Sequence, residues 1–332
     1  MIKVIVPTLL FVFSSLASGA SGSLSFLGVN DKEIHASVFA TEGSQPVIIA
    51  IGLGESESTY SELISDLAEM GLGPIYIMDH RYQGLSGPLV SQRAYVEKFN
   101  HYVKDFTKFA NTEVHRDLKQ RGLSEKPLLL GHSMGGQIAG QYLLDNQSKI
   151  RAAAFIAPMF GIKYPEALNP ETNSWVRALL NTMAAMTPKG TPPLTPDEIP
   201  AFEGNTNTSS EERFWAKMNP LMENNSHLVN VSNRWVLESL IATQFFRKHF
   251  SSIHIPTLVV GAEMDELVNN QDLKNFACDA QNCDYMEISG SKHGIHIEDD
   301  IYRNQLLTLL RHFLTTPQKP QFLRSLHCSS LF

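Results

Sequence analysis

Six short segments of this chain are apolar at nearly every position: residues 47–51, 75–78, 128–130, 152–156, 257–260 and 285–288. A strand that is apolar throughout must bury both faces, which happens where helices cover a parallel sheet on both sides. Helical patterns lie between the runs. Tyr60, Leu63, Ile64 and Leu67 repeat at helical spacing with Gly71 placed to end the helix, and Tyr95, Phe99, Tyr102, Phe106 and Phe109 form a longer stripe. Strands alternating with helices predict an α/β fold with a mostly parallel sheet, covered on both faces because each crossover is right-handed. Residues 21–46 lack long apolar runs, and an edge hairpin is expected around residues 33–39.

The alternation stops between about residues 161 and 250. This stretch is rich in Pro, Asn, Thr and Ser, with helical patterns at 175–186 and 235–246 and no run that reads as a strand. The expected organisation is a core of residues 21–160 and 251–316, interrupted by a helical cap insertion at 161–250. A C-terminal tail, 317–332, follows and contains Pro317 and Pro320. Open α/β sheets bind ligands at the carboxyl ends of their strands, so an insertion there would cover the site.

Composition narrows the function. The chain is 43% hydrophobic, enough for a large core, and its formal charge is −7 with no basic run, which excludes a nucleic-acid partner. No window of about 18 apolar residues exists to span a bilayer. The longest apolar stretch, residues 4–16, follows the single charge of Lys3 and leads to the small residues 17–20, the pattern of a signal peptide cut after Ala20. Export to the periplasm or medium is therefore expected, with an uncleaved membrane anchor as the alternative. Three cysteines leave an odd thiol. Cys278 and Cys283 are close enough to close a small loop, though a pair of part-buried thiols fits equally, and no metal-ligand set is read.

Directly after the run at 128–130 come Gly131, His132, Ser133, Met134, Gly135 and Gly136, with a helix expected from Gln137. This is G-x-S-x-G in the strand–turn–helix setting of a nucleophile elbow. A side chain at Gly131 or Gly135 would strike neighbouring backbone, and the turn sets the hydroxyl at a helix N-terminus, where developing negative charge is favoured. A serine nucleophile needs a base, and the base needs a carboxylate to fix its tautomer. Among twelve histidines, His293 follows the last core run in a loop of small residues and is the expected base. His296 is its near competitor, expected in the following helix and partly exposed, while His132 is expected to point away from Ser133 and serve packing. For the acid, Asp265 lies in the turn after the run at 257–260, ahead of the apolar pair Leu267 and Val268; Glu263 and Glu266 read as solvated. The oxyanion hole would use the N–H of Met134 and that of Leu53, which sits between Gly52 and Gly54 in the loop after the first run.

These residues resemble a family. Residues 131–136, the segment 78–86 containing Asp79, His80 and Arg81, and Ala157, Pro158, Met159 and Phe160 are similar to the monoacylglycerol lipase and bacterial lysophospholipase branch of the α/β-hydrolases. The bacterial lysophospholipases are the nearer likeness, through Gly54, Glu55 and Ser56, residues 60–63 and residues 234–240. The likeness extends over residues 47–313. It implies an α/β-hydrolase core with a helical cap, Ser133, Asp265 and His293 as catalytic triad, and no cofactor. Two positions depart from the family: Ile51 stands where many relatives have histidine, and Tyr82 where glycine is usual. Trp175, Leu179, Leu180, Met183, Met186, Phe214, Trp215, Met218 and Leu221 of the insertion suit a single fatty-acyl tail. The expected reaction is hydrolysis of a carboxyl ester in a monoacyl lipid, a lysophospholipid first and a monoacylglycerol second. Transient contact with a membrane surface would accompany it. A serine aminopeptidase and a non-catalytic binding protein are the competing classes.

Overall fold

A computed structural model describes residues 21–87, 93–186 and 200–316. The expected signal segment, the tail and Cys328 lie outside the described residues. The first six strands of the main sheet are β1 (Ser21–Leu27), β2 (Glu33–Phe39), β3 (Gln45–Ala50), β4 (Leu72–Met78), then, after the two-residue β5 (Arg93–Ala94), β6 (Leu128–His132) and β7 (Ala153–Ile156). After a further two-residue strand, β8 (Asn230–Val231), β9 (Thr257–Ala262) and β10 (Cys283–Ile288) complete the set. The main sheet runs β1-β2-β4-β3-β6-β7-β9-β10, with β1 and β2 antiparallel and every pair from β4 to β10 parallel. Each of the six apolar runs is a strand of this sheet. Their positions in β4, β6, β7 and β9 are buried throughout, as strands covered on both faces must be.

The helices of the core are α1 (Ser61–Glu69), α2 (Phe99–Lys108), α3 (His115–Gln120) and α4 (Ser133–Asn146). Helix α1 buries Leu63, Ile64 and Leu67 and ends at Gly71, whose φ of 76° no residue with a Cβ adopts readily. Three aromatics of the long stripe, Phe99, Tyr102 and Phe106, are buried on α2, and the chain then widens into a π-turn at Phe109–Val114.

Between β7 and β9 the described residues form α5 (Ser174–Met186), α6 (Glu211–Glu223), β8 and α7 (Asn233–Arg247). None of these enters the main sheet. Strand β8, which sequence periodicity missed, pairs with β5 in a separate two-stranded ribbon. Helix α7 is fixed to the core: Gln137 donates a 2.9 Å hydrogen bond to the Ala242 carbonyl, and Phe246 packs on Phe160 at 5.1 Å between ring centroids. Gly140 permits this approach, since a Cβ there would lie 2.6 Å from the Phe246 ring. Helices α8 (Asn270–Asp279) and α9 (Asp300–Thr315) flank β9 and β10.

Two points left open by the sequence are answered by the structure. Cys283 is a free, buried thiol, so it does not bridge to Cys278. Tyr82 keeps the left-handed conformation that glycine would supply, with φ of 64°. Its ring meets Tyr95 edge to face at 5.9 Å, its hydroxyl donates to Glu97 at 3.1 Å, and the Lys32 ammonium lies 4.7 Å above it. These contacts offset the strain of a bulky residue in that region.

Candidate active site

Four loops leave the carboxyl ends of β3, β6, β9 and β10 and meet at one place. Ser133 stands at the β6–α4 junction with φ of 50°, a strained value for a non-glycine residue and the mark of a sharp elbow. Gly135 makes the elbow possible, because a Cβ there would lie 2.1 Å from the Ala50 carbonyl oxygen; one on Gly131 would lie 2.9 Å from Gly136 Cα.

His293 Nε2 lies 2.8 Å from Ser133 Oγ, and His293 Nδ1 lies 2.7 Å from Asp265 Oδ2. The other Asp265 oxygen accepts N–H bonds from Leu267 at 2.8 Å and Val268 at 3.0 Å. Burial works against the Asp265 carboxylate, yet His293 beside it and the two N–H donors hold its carboxyl below the usual range. Charged, it fixes the proton of His293 on Nδ1 and leaves Nε2 free to accept from the serine. Both residues of the apolar pair after Asp265 line the cavity, Val268 buried and Leu267 exposed. Glu263 and Glu266 are exposed, as expected, and Glu263 braces the turn after β10 through Ser289 and Gly290.

Leu53 lies in the loop after β3, and Met134 is the second residue of α4. The N–H groups on either side of Leu53 are already committed. Gly52 donates to Glu55 at 2.7 Å and Tyr60 at 3.2 Å, and Gly54 donates to Gln83 at 2.6 Å. His80 Nε2 lies 3.1 Å from the Ile51 carbonyl and steadies the same loop from below.

Behind the serine lies a buried polar cluster that sequence reasoning missed. Glu55 Oε2 accepts from the Tyr60 hydroxyl at 2.5 Å and from Gly52, and faces His132 Nδ1 at 3.1 Å; Lys217 of α6 reaches Glu55 Oε1 at 3.4 Å. His132 faces this cluster rather than purely apolar packing, and lines the same cavity as Ser133. His296 is also displaced from its expected place: it is buried in a 3₁₀ turn, Ile295–Ile297, and stacks on Tyr60 at 4.8 Å. Burial penalises the Glu55 carboxylate, but His132 and Lys217 overcome this and hold it well below the ordinary range, while burial and His132 push His296 well down. One atom each of Glu55, His132 and His296 lie within 4.8 Å of one another, a donor set of metal-binding type. The ammonium of Lys217 stands against the outer oxygen of that carboxylate, where a divalent cation would need room.

A cavity of about 250 Å³ opens beside Ser133 and His293, with Met159, Ile162, Trp235 and Val268 forming an apolar wall and Glu55 and Lys217 a polar one. A wider cavity of about 630 Å³ shares Leu53, Asn207, Lys217, Val231 and Leu267 with it. Of the insertion side chains expected to line a tail pocket, Phe214 and Met218 of α6 line the wider cavity. Trp175, Leu179 and Met186 of α5 are exposed instead and line neither cavity, and Leu221 is buried in the packing of α6. The histidine loop is tied to the chain ahead of α6 by Gly294 donating to the Asn207 carbonyl at 2.7 Å. Buried Glu298 reinforces the tie, accepting from Lys292 at 2.8 Å and Ser209 at 2.7 Å.

The family model described as serine aminopeptidase, S33, matches residues 42–300. The chain belongs to that family. Lysophospholipase L2 of Escherichia coli strain K12 is 29% identical to it over 317 residues, covering 90% of this chain and 89% of the relative. Probable lysophospholipase L2 of Haemophilus influenzae is 28% identical over 277 residues, covering 81% and 83%. A soluble variant of monoglyceride lipase from Saccharomyces cerevisiae, solved with a substrate analogue, superposes with a TM-score of 0.67 at 16% identity, over 91% of this chain and 97% of that one. The fold of this S33 member is thereby that of the α/β-hydrolases, as the sequence resemblance implied.

Proposed function

We propose that the protein is a serine hydrolase of lipid esters whose substrate is a monoacyl lipid, a lysophospholipid in the first place and a monoacylglycerol in the second. The observation that carries this reading is the continuous Ser133–His293–Asp265 relay, with contacts of 2.8 and 2.7 Å, opening onto a cavity with an apolar wall. In the reaction, Ser133 Oγ attacks the ester carbonyl as His293 Nε2 takes its proton, and Asp265 stabilises the imidazolium. The N–H groups of Leu53 and Met134 receive the oxyanion. His293 returns the proton to the leaving alcohol, then activates the water that frees the fatty acid and restores Ser133. The names of the bacterial relatives support the lysophospholipid over the monoacylglycerol.

The family description raises the competing reading, an aminopeptidase. Recognition of a substrate amine calls for a free carboxylate near the serine, and the acid lining that cavity among the described residues is Glu55, already faced by Lys217 and His132. The ester reading fits this neutralised pocket better.

Export after cleavage at Ala20 is part of the proposal. Strand β1 begins at Ser21, so a cut there would leave the edge hairpin whole. The enzyme would then meet its lipid outside the cytoplasm, touching the membrane surface only transiently. Labelling with a fluorophosphonate tests the nucleophile: the wild-type protein is expected to label at one site and Ser133→Ala not at all. Undiminished labelling of Ser133→Ala would overturn the assignment.

A further inference from the structure

Lys217 is the one lysine among the described residues that lines both cavities, and only 8% of it is exposed. An ammonium carries three donors and in a dry setting seeks short, charge-assisted bonds of about 2.7–2.9 Å. Lys217 makes a single hydrogen bond among the described residues, and it is long: 3.4 Å to Glu55 Oε1. Glu55, for its part, is held through its other oxygen by Gly52, Tyr60 and His132, and would keep its place if the lysine turned toward a ligand. The lysine thus presents a buried, under-coordinated positive charge in the same small cavity as the nucleophile, at the passage into the wider one.

The lysophospholipid reading supplies a partner for this charge. With the acyl chain along Met159, Ile162 and Trp235, the alcohol half of the ester would lie toward Lys217, which lines the same cavity. In a lysophospholipid the group one glycerol away from the ester is an anionic phosphate; in a monoacylglycerol it is a neutral hydroxyl. We propose that Lys217 is a specificity residue that binds the phosphate of the leaving headgroup and so favours lysophospholipids over uncharged esters of the same acid. This rests on the monoacyl-lipid reading given above and adds to it the residue that reads the headgroup.

The test uses the full chain and three substrates with one acyl group: lysophosphatidylcholine, the monoacylglycerol and the p-nitrophenyl ester. Wild type, Lys217→Met and Lys217→Arg are compared by kcat/KM. Lys217→Met leaves the buried Glu55 carboxylate without its cation and disturbs packing, so the readout is the ratio between substrates and not the total rate. For Lys217→Met the ratio of lysophosphatidylcholine to either uncharged ester is expected to fall about tenfold or more, largely through KM, and Lys217→Arg is expected to recover most of it. A ratio that stays constant while all three rates fall together would overturn the proposal and leave Lys217 as a support for Glu55. Wild-type protein that cleaves the p-nitrophenyl ester but neither lipid would instead overturn the monoacyl-lipid reading, and the headgroup proposal with it.

Discussion

His80 shows how a single buried group supports the site and leaves a signature in stability. Its Nε2 lies against the carbonyl of Ile51, one residue before Gly52, and burial drives its pKa from 6.5 down to about 4 despite that carbonyl and Glu55. In the unfolded chain the same imidazole takes its proton near pH 6.5. Because the folded value is the lower one, the stabilising difference is complete above about pH 6.5 and is lost as the pH falls toward 4, by about 3 kcal/mol at most. Urea unfolding between pH 7 and 4.5 is expected to show this fall, and His80→Gln to show a shallower one. Equal slopes in the two proteins would contradict the role given to His80. At this scale Ser133, Asp265 and His293 were legible because each sits at a fixed offset from an apolar run. The Glu55 cluster was not: its members come from four separated segments, and no periodicity links Glu55 to a lysine 162 positions away.

At the scale of elements, the strand-to-helix elbow is the part with the least freedom. Strand β3 packs beside β6, with Ala50 in register with Gly131, and α4 starts so close to β3 that Gly135 has no space for a methyl group. Gly135→Ala would put its Cβ 2.1 Å from the Ala50 oxygen, against backbone that cannot swing aside as a flexible side chain would. Loss of soluble, folded protein is the expected outcome in expression and circular dichroism; a variant that folds and turns over normally would contradict the elbow geometry. Five of the six core strands could be read from the sequence because full burial leaves an unbroken apolar run, while β10, half-buried and broken by exposed Glu287, shows a weaker one. Helix α6 could not be placed in the same way. Its 13 residues mix Phe214, Lys217, Met218 and Leu221 on surfaces that face packing and cavity together, and Pro220 interrupts the pattern. Helix α5 lines neither of the two described cavities, since apolar spacing marks a stripe but does not say which side of the molecule the stripe meets.

For the whole molecule, the sheet's carboxyl edge gathers four loops, and described residues between β7 and β9, Lys217 and Trp235 among them, line the cavity beside them. The cavity beside the serine is apolar in part, and among the described residues the acid that lines it, Glu55, is already paired with Lys217, which fits a lipid ester with a polar headgroup better than a peptide amine. The acidic chain gains no attraction to anionic membranes, so monomeric lysolipid, which leaves a bilayer readily, suits it better than lipid held in the surface. The central claim is therefore one of substrate class, and it is tested most directly by fatty-acid release from lysophosphatidylcholine and a monoacylglycerol beside amine release from an aminoacyl anilide. Wild-type protein is expected to act on lysophosphatidylcholine first, on the monoacylglycerol more slowly and on the anilide negligibly, with all of it lost in Ser133→Ala. Preferential cleavage of the anilide, or lipid hydrolysis that survives in Ser133→Ala, would contradict the account.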